Sequence, residues 1–111
     1  MSFTFIKQPN ETVRLGHNYR NALTSGDSIL SATYTVINID SGDAVVTAGM
    51  TVSGSGKITN ENPNDVPSVN NTASVQFISG DDGMEYKLSI LATTASGDKY
   101  EADINVITQN N

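Results

Sequence analysis

The sequence predicts an all-β protein, a single antiparallel β-sandwich of about seven strands. Three observations predict it. Apolar and polar residues alternate with period two along most of the chain, and helical periodicity is almost absent. Asn, Ser, Thr, Gly and Asp are abundant while strong helix formers are few, so side chains compete for the backbone and disfavour helices. The triplet Ser-Gly-Asp occurs four times, beginning at Ser25, Ser41, Ser79 and Ser96, each time beside an extended segment. The 111 residues suit one domain spanning 1–111, large enough to bury a core without staples.

Phe3 to Lys7 reads as a short strand, which Gln8-Pro9-Asn10 interrupts before an extended segment from Glu11 to Leu15. Pro9 has no N–H to donate, which puts residues 1–10 on a sheet edge, in an N-terminal arm, or at a crossing between sheets. Ser28 to Asn38 is the longest strand candidate. Leu30, Ala32, Tyr34 and Val36 face one way there, and Ile29 and Ile37 break the alternation at its ends. Ala44 to Ser53 follows, with Val46, Ala48, Met50 and Val52 on one side. Gly54-Ser55-Gly56 breaks it, and Lys57 to Asn60 continues briefly. Residues 60–71 hold two prolines and five asparagines, with Val66 a buried-type side chain among them, so they form a long polar loop.

Thr72 to Ser79 is a strand carrying Ala73, Val75 and Phe77. Glu85 to Thr93 turns Tyr86, Leu88, Ile90 and Ala92 inward, and Lys99 to Thr108 does the same with Tyr100, Ala102, Ile104 and Val106. These last two strands form a hairpin across Thr94 to Asp98. Strands separated by turn clusters, with no helix between them, indicate antiparallel architecture. The core expected from the alternation is Leu30, Ala32, Tyr34, Val36, Val75, Phe77, Tyr86, Leu88, Ile90, Ala102, Ile104 and Val106. The four triplets are irregularly spaced and sit at strand ends. Glycine supplies positive φ there, while Asp and Ser bond the local backbone. They are turn punctuation rather than a repeat.

Composition narrows the chemistry. There is no Cys, hence no disulfide, thiolate metal site or cysteine nucleophile. Twelve acids against six scattered bases give a net charge of −6, which disfavours nucleic acid and anionic membrane surfaces and suits a soluble protein. No signal-like start and no apolar run of spanning length is visible. Asp81-Asp82-Gly83-Met84-Glu85 is the densest acidic stretch, with Asp40 and Asp43 in another turn, but no single loop offers the ligand count calcium wants. Gly54-Ser55-Gly56-Lys57 lacks the first glycine, the Ser/Thr and the helix of a phosphate loop. His17 is the one histidine and has no evident catalytic partner, so no enzyme, metal site or cofactor is expected. The sequons at Asn10 and Asn70 read as accidents of composition.

Asp82-Gly83-x-x-Tyr86-x-Leu88 has the form of a tyrosine corner, in which a strand-initial Tyr bonds backbone in the preceding turn. Asp82, Gly83 and Tyr86 are therefore expected to be structural.

Two stretches carry a family resemblance. Tyr19-x-x-x-Leu23-x-x-Gly26-Asp27-Ser28-Ile29-x-Ser31-Ala32 is similar to the start of small immunoglobulin-like proteins encoded among phage and prophage virion genes. Gly83-x-x-Tyr86-x-Leu88-x-x-x-x-Thr93-Thr94-x-x-Gly97-x-x-Tyr100-Glu101 is similar to their C-terminal half. Tyr34 stands where relatives often carry Trp. The resemblance implies an immunoglobulin-like sandwich and a non-enzymatic virion component of the head, head–tail connection or tail, present in the host cytoplasm before assembly. Its implied partners are capsid, portal or tail proteins, or further copies of itself. Phe3, Phe5 and Ile6 are apolar and set apart by Pro9, which makes them the candidate docking arm. The alternative is a bacterial surface or carbohydrate-binding sandwich, for which Tyr19 and His17 are the candidate contacts.

Overall fold

The computed structural model describes residues 2–42, 44–46 and 49–109, with residues 2 and 3 as backbone only. Among the described residues eight strands form two sheets packed face to face: a β-sandwich. The strands are β1 (Ser2–Lys7), β2 (Val13–Asn18), β3 (Ile29–Asn38), β4 (Ala44–Val45), β5 (Lys57–Thr59), β6 (Thr72–Phe77), β7 (Glu85–Thr94) and β8 (Lys99–Thr108). The larger sheet has the order β1-β8-β7-β3-β4, the smaller β2-β6-β5. All pairs are antiparallel except β1 with β8, which runs parallel from Ser2 opposite Asp103 to Lys7 opposite Thr108.

Pro9 lies where the chain leaves the larger sheet after β1 and enters the smaller one at β2. A turn closes there, with Glu11 N–H donating to Gln8 O at 3.1 Å and Gln8 N–H to the Glu11 carboxylate at 2.6 Å. The crossing needs a residue free of ladder bonding, and proline has no donor to lose.

Alternation sets the core. Tyr86, Leu88, Ile90 and Ala92 of β7 and Ala102, Ile104 and Val106 of β8 are buried against Ala73, Val75 and Phe77 of β6 and Leu15 of β2. β6 is the middle strand of the small sheet, and Thr72 and Ser74 on its second face are buried as well.

Four expectations are corrected. Leu30 is 63% exposed, while its neighbour Ile29 is buried. Ile29 pairs with Thr94 and Ser31 with Thr93, so Leu30 is the extra residue of a β-bulge. One inserted residue reverses the facing of everything before it, so Ile29 and Val36 point to the same core although an odd number of positions separates them. Val66 is 96% exposed rather than buried. Ala44 to Ser53 is not one strand. After Ala44 and Val45 pair with β3, the chain turns at Gly49 (φ +85°) and joins the other sheet, where Thr51 bridges Phe77 and Val52 N–H donates to Gln76 O at 3.1 Å. Met50 is buried after the switch; Ala48 lies outside the described residues. The segment from Glu11 to Leu15 is displaced, since the strand there is Val13–Asn18.

The triplet glycines 26, 42, 80 and 97 all have positive φ, between +72° and +105°. That conformation costs glycine little and disfavours other residues, so each triplet ends or turns a strand. Asp43 of the second triplet lies outside the described residues.

Candidate interaction surfaces

At each end of the sandwich, turn residues bond back onto the fold. At one end Tyr86 Oη accepts a hydrogen bond from Asp81 N–H at 2.9 Å, and Gly83 N–H donates to Thr108 O at 2.8 Å. Asp40 accepts from Glu85 N–H at 2.7 Å, linking the turn after β3 to the start of β7. Lys7 is buried beside this turn, and its ammonium donates to the carbonyls of Ser79, Gln8 and Pro9. Three donors meet three acceptors, so the charge is satisfied without a carboxylate in contact. Burial lowers the Lys7 pKa, and the Glu11 charge partly opposes the shift. Among the described residues no three His, Asp or Glu side chains are grouped closely enough to hold a metal ion.

At the opposite end two triplets meet. Asp27 accepts from Ser28 N–H (2.9 Å), Ser96 N–H (3.1 Å) and Ser96 Oγ (2.6 Å). The Ser96 hydroxyl foremost holds the Asp27 carboxyl below the usual aspartate range. Sequence reasoning placed both triplets in turns but missed their contact, because a separation of 69 positions carries no local signal of it. Beside them an open groove runs between residues 20–27 and 65–71, crossed by the Arg20–Asp65 ion pair at 2.8 Å. Asn71 fastens the loop, accepting from Glu61 N–H at 3.2 Å and donating to Asn62 Oδ1 at 2.9 Å.

Tyr19 is not at a binding surface. It is 3% exposed, and its hydroxyl donates to Ile90 O at 2.9 Å, tying the loop after β2 to the central strand of the opposite sheet. His17 packs edge-on to it with centroids 4.6 Å apart, and desolvation lowers the His17 pKa. Tyr86 and Phe77 are buried, and Tyr34 and Tyr100 pack against the core. The four tyrosines and Phe77 pack inward or against the core, which leaves Phe5 as the exposed aromatic ring among the described side chains.

What faces outward is strand edge and sheet face. β1 and β4 are the edges of the larger sheet. Register aligns Thr4, Asn105, Lys87, Ile37 and Val45 in one row across its outer face. Ile6 pairs with Ile107 in the adjacent row. Phe5 is 37%, Ile6 56% and Val45 69% exposed. Phe3 pairs with Ile104 through its backbone, and its side chain lies outside the described part. The N-terminal segment is thus an edge strand on its own sheet, with one side of its backbone open.

Comparison with known families supplies the class. The family model of the podophage GP4 fiber-tail adaptor protein gp77 matches residues 7–107. The chain belongs to that family. It is therefore a phage structural protein of the tail region and a virion component. The match covers the sandwich from Lys7 nearly to the end of β8, so the adaptor family and the fold described above coincide along the chain. A search of the curated proteins finds no match.

Proposed function

We propose that this protein is a non-enzymatic adaptor that joins a fibre protein to the phage tail through protein–protein contacts. The observation that carries the reading is the adaptor-family match over residues 7–107, which takes in the sandwich from the last residue of β1 onward. The surfaces support it. The tyrosines and the one histidine pack inward or against each other, while Phe5, Ile6 and Val45 are exposed on the edge strands of the larger sheet. The contacts are made with tail and fibre proteins; the capsid and portal partners implied by the wider resemblance fall outside what this family's name describes. The corner residues Asp82, Gly83 and Tyr86 serve to keep the turn before β7 in shape.

The test is genetic. A stop codon early in the gene, in an otherwise intact phage, should yield particles whose tails lack fibres and which regain them when the protein is supplied in trans. Fibre-bearing, infectious particles without the protein would refute the adaptor role.

A further inference from the structure

β1 is held to the rest of the molecule by few side chains. It lies at one edge of the larger sheet, pairs with β8 alone, and pairs parallel, the slightly weaker geometry per residue. Thr4, Phe5 and Ile6 are exposed, so they contribute little burial. The buried side chain among those described on β1 is Lys7, which faces inward opposite the equally buried Thr108. Its ammonium donates to Gln8 O and Pro9 O of its own segment and to Ser79 O of the turn after β6. Of these three bonds the last alone reaches a distant part of the chain. Ser79 itself has φ +62°, a conformation that costs a non-glycine residue energy and that a freed turn can relax.

We infer that β1 is a releasable strap with Lys7 as its latch: the strand lifts off β8 as a unit while the rest of the sandwich stays folded. A charged latch suits release. An apolar side chain at this position would lose its burial on leaving, whereas the ammonium exchanges three carbonyls for full hydration. β8 keeps its other neighbour when β1 leaves. It stays paired with β7 from Lys99 opposite Thr93 to Ile107 opposite Glu85, and Ala102, Ile104 and Val106 remain in the core that β7 and β6 share. The hinge is Gln8-Pro9-Asn10, closed by Glu11 N–H on Gln8 O and by Gln8 N–H on the Glu11 carboxylate. Opening it bares the β8 edge and frees the strand without exposing the interior. The strap is a property of the purified chain and stands or falls apart from the fibre–tail reading.

Trypsin reads the latch directly, because it cuts after lysine and needs Lys7 withdrawn from its carbonyls. Lys87 is the internal reference: it lies on β7, the middle strand of the larger sheet, where a cut requires the whole fold to open. In the full chain, followed by mass spectrometry, release of residues 1–7 should be at least about tenfold faster than cutting after Lys87, and should respond less to urea up to about 1 M. Amide exchange should give the same contrast between the hydrogen-bonded amides of β1 and those of Leu88 and Ile90. Lys7→Ala should speed exchange in β1 relative to Leu88 and Ile90 by about tenfold or more, the scale of one hydrogen bond to a charged group. Equal cleavage rates with equal urea dependence at Lys7 and Lys87 overturn the inference, because β1 then opens only with the whole fold. An alanine variant that keeps the wild-type ratio of β1 to core exchange also overturns it, since the ammonium is then no latch. A variant that fails to fold overturns it as well, since Lys7 then holds the sandwich and not the strand alone.

Discussion

Tyr19 links the stability of this protein to alkaline pH. Its hydroxyl is buried and donates to Ile90 O at 2.9 Å, so it can hold that bond only while protonated. Burial foremost, together with the nearby Tyr34, Glu101 and Asp103, pushes its pKa well above the ordinary tyrosine value of 10.0. Above that value the unfolded chain has lost this proton and the folded chain has kept it. Folded protein then binds more protons than unfolded protein, so stability falls as pH rises. The slope for one linked proton approaches about 1.4 kcal/mol per pH unit. Tyr19→Phe removes both the bond and the linkage. Near pH 8 the variant should be less stable by about 0.5–1.5 kcal/mol, the net worth of one such bond. By about pH 11 the wild-type protein should have lost about 1.4 kcal/mol through Tyr19 alone, closing the gap to near zero. Tyr34 is shifted up by burial and contributes in the same direction; Lys7, shifted down by burial, contributes oppositely as pH climbs toward 10.5. Both are present in either protein, so they cancel in the difference apart from the interaction of Tyr34 with Tyr19. Urea unfolding followed by circular dichroism at a series of pH values reads that difference directly. A gap that stays constant from about pH 8 to about pH 11 would refute the buried, donating hydroxyl.

Three further outcomes follow from the packing. Leu88→Ala and Ile90→Ala, at fully buried positions, should each cost about 2–5 kcal/mol in urea unfolding, whereas Leu30→Ala on the bulge should cost less than about 0.5 kcal/mol; similar costs at all three would contradict the bulge. Tyr86→Phe should lose about 0.5–1.5 kcal/mol by removing the acceptor of Asp81 N–H, and unchanged stability would remove the corner from the fold's support. The Asp27 carboxyl, held low chiefly by Ser96, contributes stability above pH 3.8 that disappears as pH falls through its lower folded value. Asp27→Asn should therefore flatten the acid limb of the melting curve, and an identical acid limb in the variant would show that the two triplets are not coupled.

Local pattern alone determined that this chain is a β-sandwich, and it did so because the period of two is written into each strand separately. β7 and β8 place Tyr86, Leu88, Ile90, Ala102, Ile104 and Val106 inward, and each is buried. The glycines of the four triplets adopt the positive φ that their residue type favours, again a property of a few neighbouring residues. Pro9 marks the crossing between sheets because a missing donor constrains any ladder it might join. The tertiary structure decided whatever depends on which segments meet. Leu30 faces solvent because a one-residue bulge against β7 reverses the register, and no alternation within residues 28–38 shows where a partner strand will skip. The stretch from Ala44 to Ser53 divides between two sheets because β3 and β6 compete for its backbone, and only their positions in space settle the division. Tyr19 became a core anchor, and Asp27 a clasp on Ser96, through contacts seventy-one and sixty-nine residues away in sequence. The open edge of β1 is of the same kind. Its residues are plain in the sequence, but whether they hang free or lie parallel on β8 is fixed by the strand that ends the chain, and that pairing leaves one side of β1 open.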